Sequence, residues 1–566
     1  MNFAILNSLV EVCAKKGIRH VVICPGSRSA PLTLAFTRNK RMKCWTFSDE
    51  RSAAFIGLGI SQQTKTPVAL VCTSGSAAYN FSPAVAEAWF QQIPLIIFTA
   101  DRPKEWIDQL DGQTIRQVEL YGKHVKKYAE LPADYVHPDS AWYANRVVNE
   151  AINLAQSGQK GPVHINAPFR EPLYPSSSES LSIKTSRLIN PVISESILSS
   201  HEWSALHKSL KGFKRILVVS GQNDEDDELR NALNAFHSIH HWPFVGDILA
   251  NLHSLPFFCQ HSDTFLGQLQ KSDKSYLQPD LLITFGKSLV AKNLKLYLRA
   301  FPPKEHWHLQ TAGEAADTFQ SLTRIIPVAP YYFFGQLSTH LRVSPKSVHP
   351  YEKTWLRFES KAKKVVDEFF ESTSDGEFSL VNRILASLPS PCHVHLANSM
   401  PVRYANHVGL KASQRKIKVF CNRGTSGIDG CSSTAVGHTL ASTIPNVLIT
   451  GDQAFFYDRN AFWHNYSLPN LFVVVLNNHG GLIFNLIDGP SGLPEAEEFF
   501  VTRQRLTAKS LAAEFGFSYQ EASRSDFKAF LKVKRTAKIM EIDSTQSMNK
   551  KIFEDFKKHI KKSYES

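Results

Sequence analysis

Short apolar runs rich in β-branched residues recur along the whole chain, and each is followed by a segment long enough for a helix. Strands that are buried on both faces by helices appear in a sequence as continuous apolar runs of this kind. The runs are, in chain order, HVVIC, PVALVC, PLIIFTA, GPVHINAP, RILVVSG, LLITFG, HVHLANS, IKVFCNRG, NVLITGD, LFVVVLNN and AKIMEID. The pattern predicts an α/β protein built from doubly wound parallel sheets.

The length and two changes in composition predict three domains. A chain of 566 residues is too long for one ordinary core. A Ser-rich polar stretch covers residues 174–186, and a proline-containing segment of mixed pattern covers residues 327–352. We expect both stretches to connect domains. The three predicted α/β units are residues 1–180, 187–340 and 350–566.

Charge and cysteine content narrow the class of protein. The formal charge of +13, from 64 basic and 51 acidic residues, fits either anionic partners or an ordinary basic surface. The eight cysteines are scattered and form no C-x-x-C pair, so neither a zinc site nor a disulfide framework is predicted. The N-terminus lacks a signal-peptide pattern, and no apolar run is long enough to cross a bilayer. We expect a cytoplasmic protein that binds neither membranes nor nucleic acid.

Polar residues follow two of the apolar runs in the last third of the chain. Gly451 and Asp452 end one run, and Asn477, Asn478 and then Gly480 end the next. Ligands of parallel sheets bind beyond the carboxyl ends of the strands, and carboxylate, amide and main-chain oxygens suit Mg²⁺. Gly-Asp alone is also found in ordinary turns, but Asn-Asn at this spacing makes a site the more specific interpretation.

This arrangement resembles the thiamine-diphosphate motif, in which Gly-Asp-x is followed after an interval by Asn-Asn. The resemblance implies that Asp452, Asn478 and the Gly480 carbonyl hold Mg²⁺ or Mn²⁺, which in turn binds the diphosphate of the cofactor. Gln453 stands where the motif more commonly has glycine. The preceding segment RGTSGIDG would supply amides at a predicted helix start, a favourable position for anionic oxygens.

The same resemblance implies further cofactor contacts. Glu50, ahead of a helix of small residues, would bond the aminopyrimidine ring and favour the tautomer that acts as a base; otherwise it is an ordinary acid at a helix start. The remaining implied cofactor contacts are Thr73, Ser74, Gly75, Ser426, Gly427 and Ile428. In this superfamily the pyrimidine-binding domain faces the diphosphate-binding domain of another subunit, so we expect a homodimer or a tetramer built from such dimers.

Six segments narrow the resemblance to one family. CPGSRSAPLTLAF, SDERSAAFIGLG, TADRPKEWID, GQTIRQ, NSMPVR and NRGTSGIDG together resemble the 2-succinyl-5-enolpyruvyl-6-hydroxy-3-cyclohexene-1-carboxylate synthases of menaquinone biosynthesis. The resemblance implies decarboxylation of 2-oxoglutarate and a Stetter-like 1,4-addition of the remaining unit to isochorismate. Both substrates carry two carboxylates, which arginine binds bidentately.

The implied active-site residues lie in these segments and in the middle domain. The residues with a catalytic role would be Glu50, Gln113 and Arg403. The substrate contacts would be Ser27, Arg28, Arg102, Lys292, Ser399 and Arg423. Leu110, Asp111 and Gly112 depart from the family pattern just before Gln113, which affects the expected shape of that loop.

Two other functions fit parts of the sequence. One is another thiamine-diphosphate enzyme of 2-oxo acids, such as an acetolactate-type synthase or a decarboxylase; TSGSA in place of a Gly-Pro-Gly loop and the arginine set argue against it. The other is a basic nucleic-acid-binding or scaffolding protein, which only the charge supports. RILVVSGQNDEDD contains no Gly-x-Gly-x-x-Gly, so neither flavin nor nicotinamide is predicted.

Overall fold

Three parallel sheets of six strands each form the framework of the protein. The computed structural model describes residues 3–175, 186–192, 194–224, 226–340, 349–486, 489–522, 527–532 and 535–565. Every one of the eleven predicted runs forms a strand, and helices separate the strands. The predicted fold class, three doubly wound parallel sheets, is therefore confirmed.

The first sheet has the strand order β2-β1-β3-β4-β6-β5. Its strands are β1 (His20–Ile23), β2 (Lys43–Thr46), β3 (Val68–Cys72), β4 (Leu95–Asp101), β5 (Tyr128–Glu130) and β6 (Val163–Pro168). Its helices are α1 (Phe3–Lys15), α2 (Ala30–Thr37), α3 (Glu50–Thr64), α4 (Ser76–Asn80), α5 (Ser82–Gln91) and α6 (Pro138–Gln156).

The second sheet has the strand order β12-β11-β10-β7-β8-β9. Its strands are β7 (Ile216–Ser220), β8 (Phe244–Gly246), β9 (Phe258–Cys259), β10 (Leu281–Phe285), β11 (Glu305–Leu309) and β12 (Arg324–Ile326). Its helices are α7 (Ser200–Leu210), α8 (Asp227–His240), α9 (Ser262–Leu266), α10 (Lys271–Leu277), α11 (Lys292–Ala300) and α12 (Pro330–His340).

The third sheet has the strand order β14-β13-β15-β16-β18-β17. Its strands are β13 (Cys392–Leu396), β14 (Ile417–Phe420), β15 (Asn446–Gly451), β16 (Leu471–Asn477), β17 (Ser518–Glu521) and β18 (Lys538–Asp543). Its helices are α13 (Pro350–Ser372), α14 (Gly376–Ser387), α15 (Met400–Val408), α16 (Cys431–Leu440), α17 (Asp452–Tyr457), α18 (Ala508–Glu514), α19 (Phe527–Phe530) and α20 (Gln546–Glu565).

The apolar runs are continuous because both faces of each sheet are covered. In the first sheet, Val22 and Leu70 belong to one hydrophobic cluster, whereas Val21 and Val71 belong to another on the opposite face. Successive side chains of a strand point to opposite faces, so a strand with two covered faces needs apolar residues at every position.

Helices α3 and α16 join the first and third sheets through one shared core. A Cβ at Gly59 would lie 2.2 Å from the Thr434 carbonyl oxygen, and one at Gly437 would lie 2.2 Å from that of Ile56. The two glycines therefore allow the helix backbones to approach closely. The helix that begins with Glu50 is thus fixed directly against the helix that follows the predicted cofactor loop.

The two predicted connecting segments have different outcomes. Residues 176–185, most of the Ser-rich stretch, lie outside the described residues. The second stretch, residues 327–352, is not simply a connection, because α12 occupies part of it and packs against α8 of the second sheet. The domain boundaries themselves stay a prediction. Within the described ranges, no helix combines the length and apolarity needed to span a bilayer.

Candidate active site

The predicted metal ligands lie at the carboxyl ends of two neighbouring strands of the third sheet. Strands β15 and β16 are paired, with Gly451 opposite Leu476. Asp452 follows directly as the first residue of α17, and Asn478 follows the end of β16. Both side chains are almost fully buried, with exposures of 2 % and 5 %. A carboxylate and an amide oxygen held this close to a glycine-rich turn form a suitable donor set for Mg²⁺.

A glutamine that the sequence analysis missed lies against these two strand ends. Gln504 donates from Nε2 to Asp452 Oδ2 (2.7 Å) and to Asn477 Oδ1 (3.0 Å). Gln453, at the third motif position, donates to the Thr502 carbonyl oxygen (2.8 Å). The segment around residues 502–504 therefore closes over the predicted metal ligands and fixes the Asp452 carboxylate. No local pattern marks Gln504, because its role depends only on the fold.

A buried glutamate lies behind Asn478 and also escaped the sequence analysis. Glu377 Oε1 accepts a hydrogen bond from Asn478 Nδ2 (2.8 Å). Burial raises the pKa of Glu377 to about 8, against the hydrogen bond from Asn478, and the charge of Asp452 contributes to the increase. The hydrogen bond fixes the Asn478 amide with its nitrogen towards Glu377, and its oxygen accepts from Gln546 Nε2 (3.3 Å) and keeps a second lone pair.

Gly480 occupies a crowded position next to these ligands. A Cβ there would lie 2.8 Å from the Val501 carbonyl oxygen and 2.9 Å from Gln546 Nε2, so only glycine fits without movement. The Gly480 carbonyl accepts a hydrogen bond from the Leu482 amide (3.0 Å) and keeps a second lone pair. The three predicted metal ligands thus lie on two neighbouring segments, which follow β15 and β16 at the same edge of the sheet.

The predicted cofactor loop lies between β14 and α16. Ser426 has φ +63°, and the Gly427 carbonyl accepts a hydrogen bond from Asn398 Nδ2 (2.6 Å). Ile428 is half-buried and packs on a small cluster of Ala397, Cys431 and Ala454. Its side chain is therefore held against the sheet edge but is not enclosed by the core. The helix begins at Cys431, so all three predicted contacts precede it.

A fully buried glutamate of the first domain holds this loop. Glu87 in α5 accepts hydrogen bonds from the amides of Gly424 (2.9 Å) and Thr425 (2.6 Å), and from the Thr425 hydroxyl (2.7 Å). Charge-assisted bonds of this kind are stronger than neutral ones. Glu87 thereby couples the first domain to the predicted cofactor loop, a role that the sequence analysis did not anticipate.

Two arginines lie close together at the same edge of the third sheet. Arg403 donates from Nη1 to the Ser399 carbonyl oxygen (2.5 Å), and Arg423 donates from Nη1 to Asn398 Oδ1 (2.9 Å). Burial lowers the pKa of Arg403, and the charge of Arg423 lowers it further. An anionic ligand between two such cations would relieve their repulsion. Ser399, at φ +74°, adopts a left-handed conformation of the kind often found at functional sites.

The second domain contributes cations to this region. Lys292, the predicted residue, is exposed at the start of α11. Lys295 is half-buried one turn later, and its amine donates to the Leu289 carbonyl oxygen (3.1 Å). Burial lowers the pKa of Lys295, and the charge of Arg423 lowers it further. Lys295 is therefore a second candidate for binding an anion, and one that the sequence analysis missed.

Glu50 lies at the carboxyl edge of the first sheet. It is the first residue of α3, whereas the sequence analysis placed it just before the helix; Asp49 caps the helix by accepting from the Ser52 amide (3.0 Å). Glu50 is half-buried, and burial raises the pKa of its carboxyl, with a further contribution from Asp49. A carboxyl with increased proton affinity matches the role proposed for it beside a pyrimidine nitrogen.

Two buried hydroxyls near Glu50 have no protein partner. Thr73 Oγ1 and Ser74 Oγ, at the end of β3, are buried and lack a hydrogen-bond partner in the described part of the chain. Gly75 has φ +90°, and its amide donates to Gln117 Oε1 (2.9 Å). Buried polar groups are normally satisfied, so orphaned hydroxyls at a strand end fit a ligand contact. These three predicted residues thus suit a bound cofactor.

The remaining predicted residues of the first domain lie on neighbouring loops. Arg28 is buried and donates to the Phe169 carbonyl oxygen (3.0 Å), whereas Ser27 is exposed. Arg102 donates to the Gly112 carbonyl oxygen (2.9 Å) and pairs with Asp111, with 3.2 Å between Nε and Oδ2. The unusual residues before Gln113 therefore anchor the loop to Arg102.

Gln113 itself is exposed and has φ +58°. The Cα atom of Gln113 would lie 3.4 Å from a Cβ at Gly75, so the two predicted contacts are neighbours. The site residues accordingly form two groups, one at the first sheet and one at the third. Within the described ranges, no hydrogen bond or ion pair joins a predicted residue of one group to a predicted residue of the other.

Family models match two parts of the chain. Residues 4–120 match the N-terminal TPP binding domain of thiamine pyrophosphate enzymes, and residues 190–395 match the middle domain of thiamine pyrophosphate enzymes. Thiamine diphosphate is therefore the cofactor of this fold. A 4-hydroxybenzoylformate decarboxylase from Rhodococcus jostii, described as thiamine diphosphate-dependent, has a TM-score of 0.70 over 96 % of this chain and 99 % of its own. At 16 % identity, that likeness shows the fold alone.

Two relatives that match over most of this chain have the same name. A protein of Cytophaga hutchinsonii is 43 % identical over 562 residues, which is 98 % of each chain. One of Flavobacterium johnsoniae is 39 % identical over 92 % of this chain and 91 % of its own. Both are 2-succinyl-5-enolpyruvyl-6-hydroxy-3-cyclohexene-1-carboxylate synthases. The family matches over nearly the whole chain, and the protein described here therefore belongs to the 2-succinyl-5-enolpyruvyl-6-hydroxy-3-cyclohexene-1-carboxylate synthase family of thiamine-diphosphate enzymes.

Proposed function

We propose that the protein catalyses the decarboxylation of 2-oxoglutarate and the 1,4-addition of the resulting succinyl-semialdehyde unit to isochorismate, as a step of menaquinone biosynthesis. Carbon dioxide leaves from 2-oxoglutarate, and one new carbon–carbon bond forms to isochorismate. The observation that carries this proposal is the common position of Asp452 and Asn478 with Arg403 and Arg423 at one edge of the third sheet. A cofactor-binding turn beside paired cations suits dicarboxylate substrates.

The metal and cofactor contacts are part of the proposal. Asp452, Asn478 and the Gly480 carbonyl would hold Mg²⁺ or Mn²⁺, with Gln504 and Glu377 orienting the two side chains. Ser426, Gly427 and Ile428 would contact the cofactor from the loop that Glu87 holds, and Thr73, Ser74 and Gly75 would do so from the first domain. Bound thiamine diphosphate supplies an electron sink for the decarboxylation.

Glu50, Gln113 and Ser27 would act through protons and neutral hydrogen bonds at the first sheet. Glu50 would hold a proton shared with a ring nitrogen of the cofactor, because burial has raised its proton affinity. Gln113 and Ser27 are exposed at the first sheet and can donate neutral hydrogen bonds to a substrate.

The arginines and the lysine that would bind substrate carboxylates come from both the first-sheet group and the third-sheet side of the site. Arg403 and Arg423, with Lys292, would place isochorismate, and Ser399 would add a hydrogen bond. Arg28 and Arg102 would contact substrate carboxylates from the first domain.

We also propose that the active unit is a homodimer, in which the first-sheet group of one subunit faces the third-sheet group of its partner. The support is the division of the site residues into two groups that no hydrogen bond or ion pair joins within the described chain. A tetramer of two such dimers is compatible with this arrangement. The eight cysteines are all free, which supports a reducing, cytoplasmic location.

The decisive experiment follows isochorismate by its absorbance. We expect loss of isochorismate only when the protein, 2-oxoglutarate, Mg²⁺ and thiamine diphosphate are all present, with release of carbon dioxide. Omission of thiamine diphosphate is the internal control. Turnover of pyruvate alone, without consumption of isochorismate, would instead identify an acetolactate-type synthase or a simple decarboxylase.

A further inference from the structure

Two histidines of the second domain and a glutamate at the start of the third converge, away from the site described above. The ligand atoms of His237, His241 and Glu352 all lie within 4.8 Å of one another. His237 Nε2 contacts Glu352 Oε1, and His241 Nδ1 lies 3.6 Å from Glu352 Oε2. We refer to these three residues as the His–Glu cluster.

The cluster follows from the local sequence and from one tertiary contact. His237 lies in the last turn of α8, and His241 directly follows the helix in a left-handed conformation, with φ +50°. His237 is held in place by stacking on Phe257, with ring centroids 3.6 Å apart and planes 7° apart. Glu352 comes from the first turn of α13 and completes the group.

The hydrogen bonds of the cluster are incomplete. Glu352 is 1 % exposed, and its Oε2 atom has no hydrogen-bond partner among the described residues. His241 Nδ1 is likewise buried without one, because 3.6 Å is too long for a hydrogen bond. An unsatisfied oxygen on a buried carboxylate, facing an unsatisfied imidazole nitrogen, is rare in folded proteins.

We propose that the His–Glu cluster binds a divalent transition-metal cation of the Zn²⁺ type. Zinc takes two imidazole nitrogens and a carboxylate oxygen at about 2.0–2.2 Å, so neighbouring ligand atoms of a tetrahedral site lie about 3.3 Å apart. The separation of 3.6 Å between His241 Nδ1 and Glu352 Oε2 needs only a small adjustment to reach this geometry. The histidine side chains are 15 % and 26 % exposed, so water can occupy the fourth position.

The cation would be structural. It would join α8, a helix of the second sheet, to α13, the first helix of the third sheet. In this way it would fix the second and third sheets relative to each other. Nitrogen ligands favour Zn²⁺ over Mg²⁺, so this site and the proposed Mg²⁺ site at Asp452 would select different ions. The cluster is therefore expected to affect stability and not turnover.

The experiment uses the full chain, stripped with a chelator and then saturated with Mg²⁺ and thiamine diphosphate. Co²⁺, which gives characteristic visible absorption in a tetrahedral site, and then Zn²⁺ are added to the wild type and to His241→Ala and Glu352→Gln. His201→Ala, an exposed histidine at the start of α7, is the matched control.

We expect one Co²⁺ per chain, displaced by Zn²⁺, and a Tm that rises with Zn²⁺. His241→Ala should weaken Zn²⁺ binding by at least about 100-fold, more than loss of an outer-shell partner usually does, and His201→Ala should leave it unchanged. Equal binding by His241→Ala, or no tetrahedral Co²⁺ spectrum in the wild type, would mean that the cluster is only a hydrogen-bonded contact, and the proposal would be wrong. If Glu352→Gln fails to fold, His241→Ala alone decides between these outcomes.

Discussion

Glu50 has a carboxyl whose pKa is raised by burial at the carboxyl edge of the first sheet. Glutamine has nearly the same shape but cannot share a proton with a ring nitrogen in the same way. We therefore expect Glu50→Gln to retain folding and thiamine-diphosphate binding, measured by calorimetry, while turnover of isochorismate falls about 10²- to 10⁴-fold, the usual contribution of a positioned acid or base.

A control at the same helix end separates this effect from loss of the helix. Asp49→Asn keeps an oxygen acceptor for the Ser52 amide at the cap of α3 but removes a charge that helps to raise the pKa of Glu50, so we expect folding to be retained and turnover to fall much less than in Glu50→Gln. Near-normal turnover by Glu50→Gln would remove Glu50 from its proposed role.

The residue scale also shows where sequence reasoning stops. Asp452 and Asn478 could be predicted because a motif of fixed spacing places both at strand ends. Gln504 and Glu377 could not, because each reaches these two side chains from a distant part of the chain and no local pattern accompanies it. Contacts of that kind depend on the tertiary structure and become visible only when the fold is known.

At the scale of elements, α16 depends on a buried acid outside the helix. Asp458 accepts hydrogen bonds from the amide and the hydroxyl of Ser433, both at 2.7 Å. Burial raises the pKa of Asp458 to about 7. The hydrogen bonds from Ser433 and the charge of Arg51 lower this pKa, whereas the charge of Asp429 raises it. Between pH 3.8 and about 7 the folded protein therefore keeps a proton that the unfolded chain has lost.

The stability contributed by Asp458 is thus fully present at low pH and is lost as the pH rises through about 7. Asp458→Asn cannot ionise, so we expect its stability relative to the wild type to increase by roughly 3 kcal/mol between pH 5 and pH 8. Tm values of both proteins across this range test the prediction, with the exposed Asp139→Asn as control. A Tm difference that is independent of pH would contradict it.

The contact between α3 and α16 predicts that a larger residue is not tolerated at Gly437. Gly437→Ala places a methyl group 2.2 Å from the Ile56 carbonyl oxygen, which backbone rigidity prevents from moving away. We expect Gly437→Ala to destabilise the protein by about 1–3 kcal/mol and to lower activity, because both helices adjoin the site.

Gly335→Ala in α12 is the control, because its methyl group would meet nothing within 4 Å. There the usual helix preference of alanine over glycine should stabilise the protein by about 1 kcal/mol. Thermal unfolding of the two variants measures whether each substitution lowers or raises the stability of the protein. Equal effects would show that the close approach of α3 and α16 is not what Gly437 permits.

Most strands that sequence reasoning missed lie at or near the edges of the sheets. Of the first sheet, β2 and β5 were missed, and both are edge strands; β17 is an edge strand of the third. The second sheet was predicted only at its centre, from β7 and β10. An edge strand has fewer covered faces and needs fewer apolar residues, as the pattern of KCWT in β2 illustrates. Sequence reasoning therefore found the strands at the centre of each sheet, and of the edge strands it found only β14, whose run IKVFCNRG is apolar enough to be recognised.

At the scale of the whole molecule, the residues of the proposed site are divided between two sheets. Glu50 lies at the first and Asp452 at the third, and a single sequence carries no direct signal of which copy supplies each. The homodimer was expected only from the family resemblance. If each site combines Glu50 of one subunit with Asp452 of the other, a dimer with one Glu50→Gln chain and one Asp452→Asn chain has one fully intact site and one doubly altered site.

Such a heterodimer should regain activity that neither homodimer has. Co-expression of the two variants with different tags and purification through both tags isolates it, and about half of the wild-type turnover of isochorismate is expected, because one of two sites is intact. A doubly tagged dimer of two Glu50→Gln chains controls for the tags. If instead each site were built within one chain, both sites of the heterodimer would lack a needed group, and its activity would stay at the level of the parent variants. The measurement therefore separates a shared site from a site within one subunit without requiring a structure of the assembly.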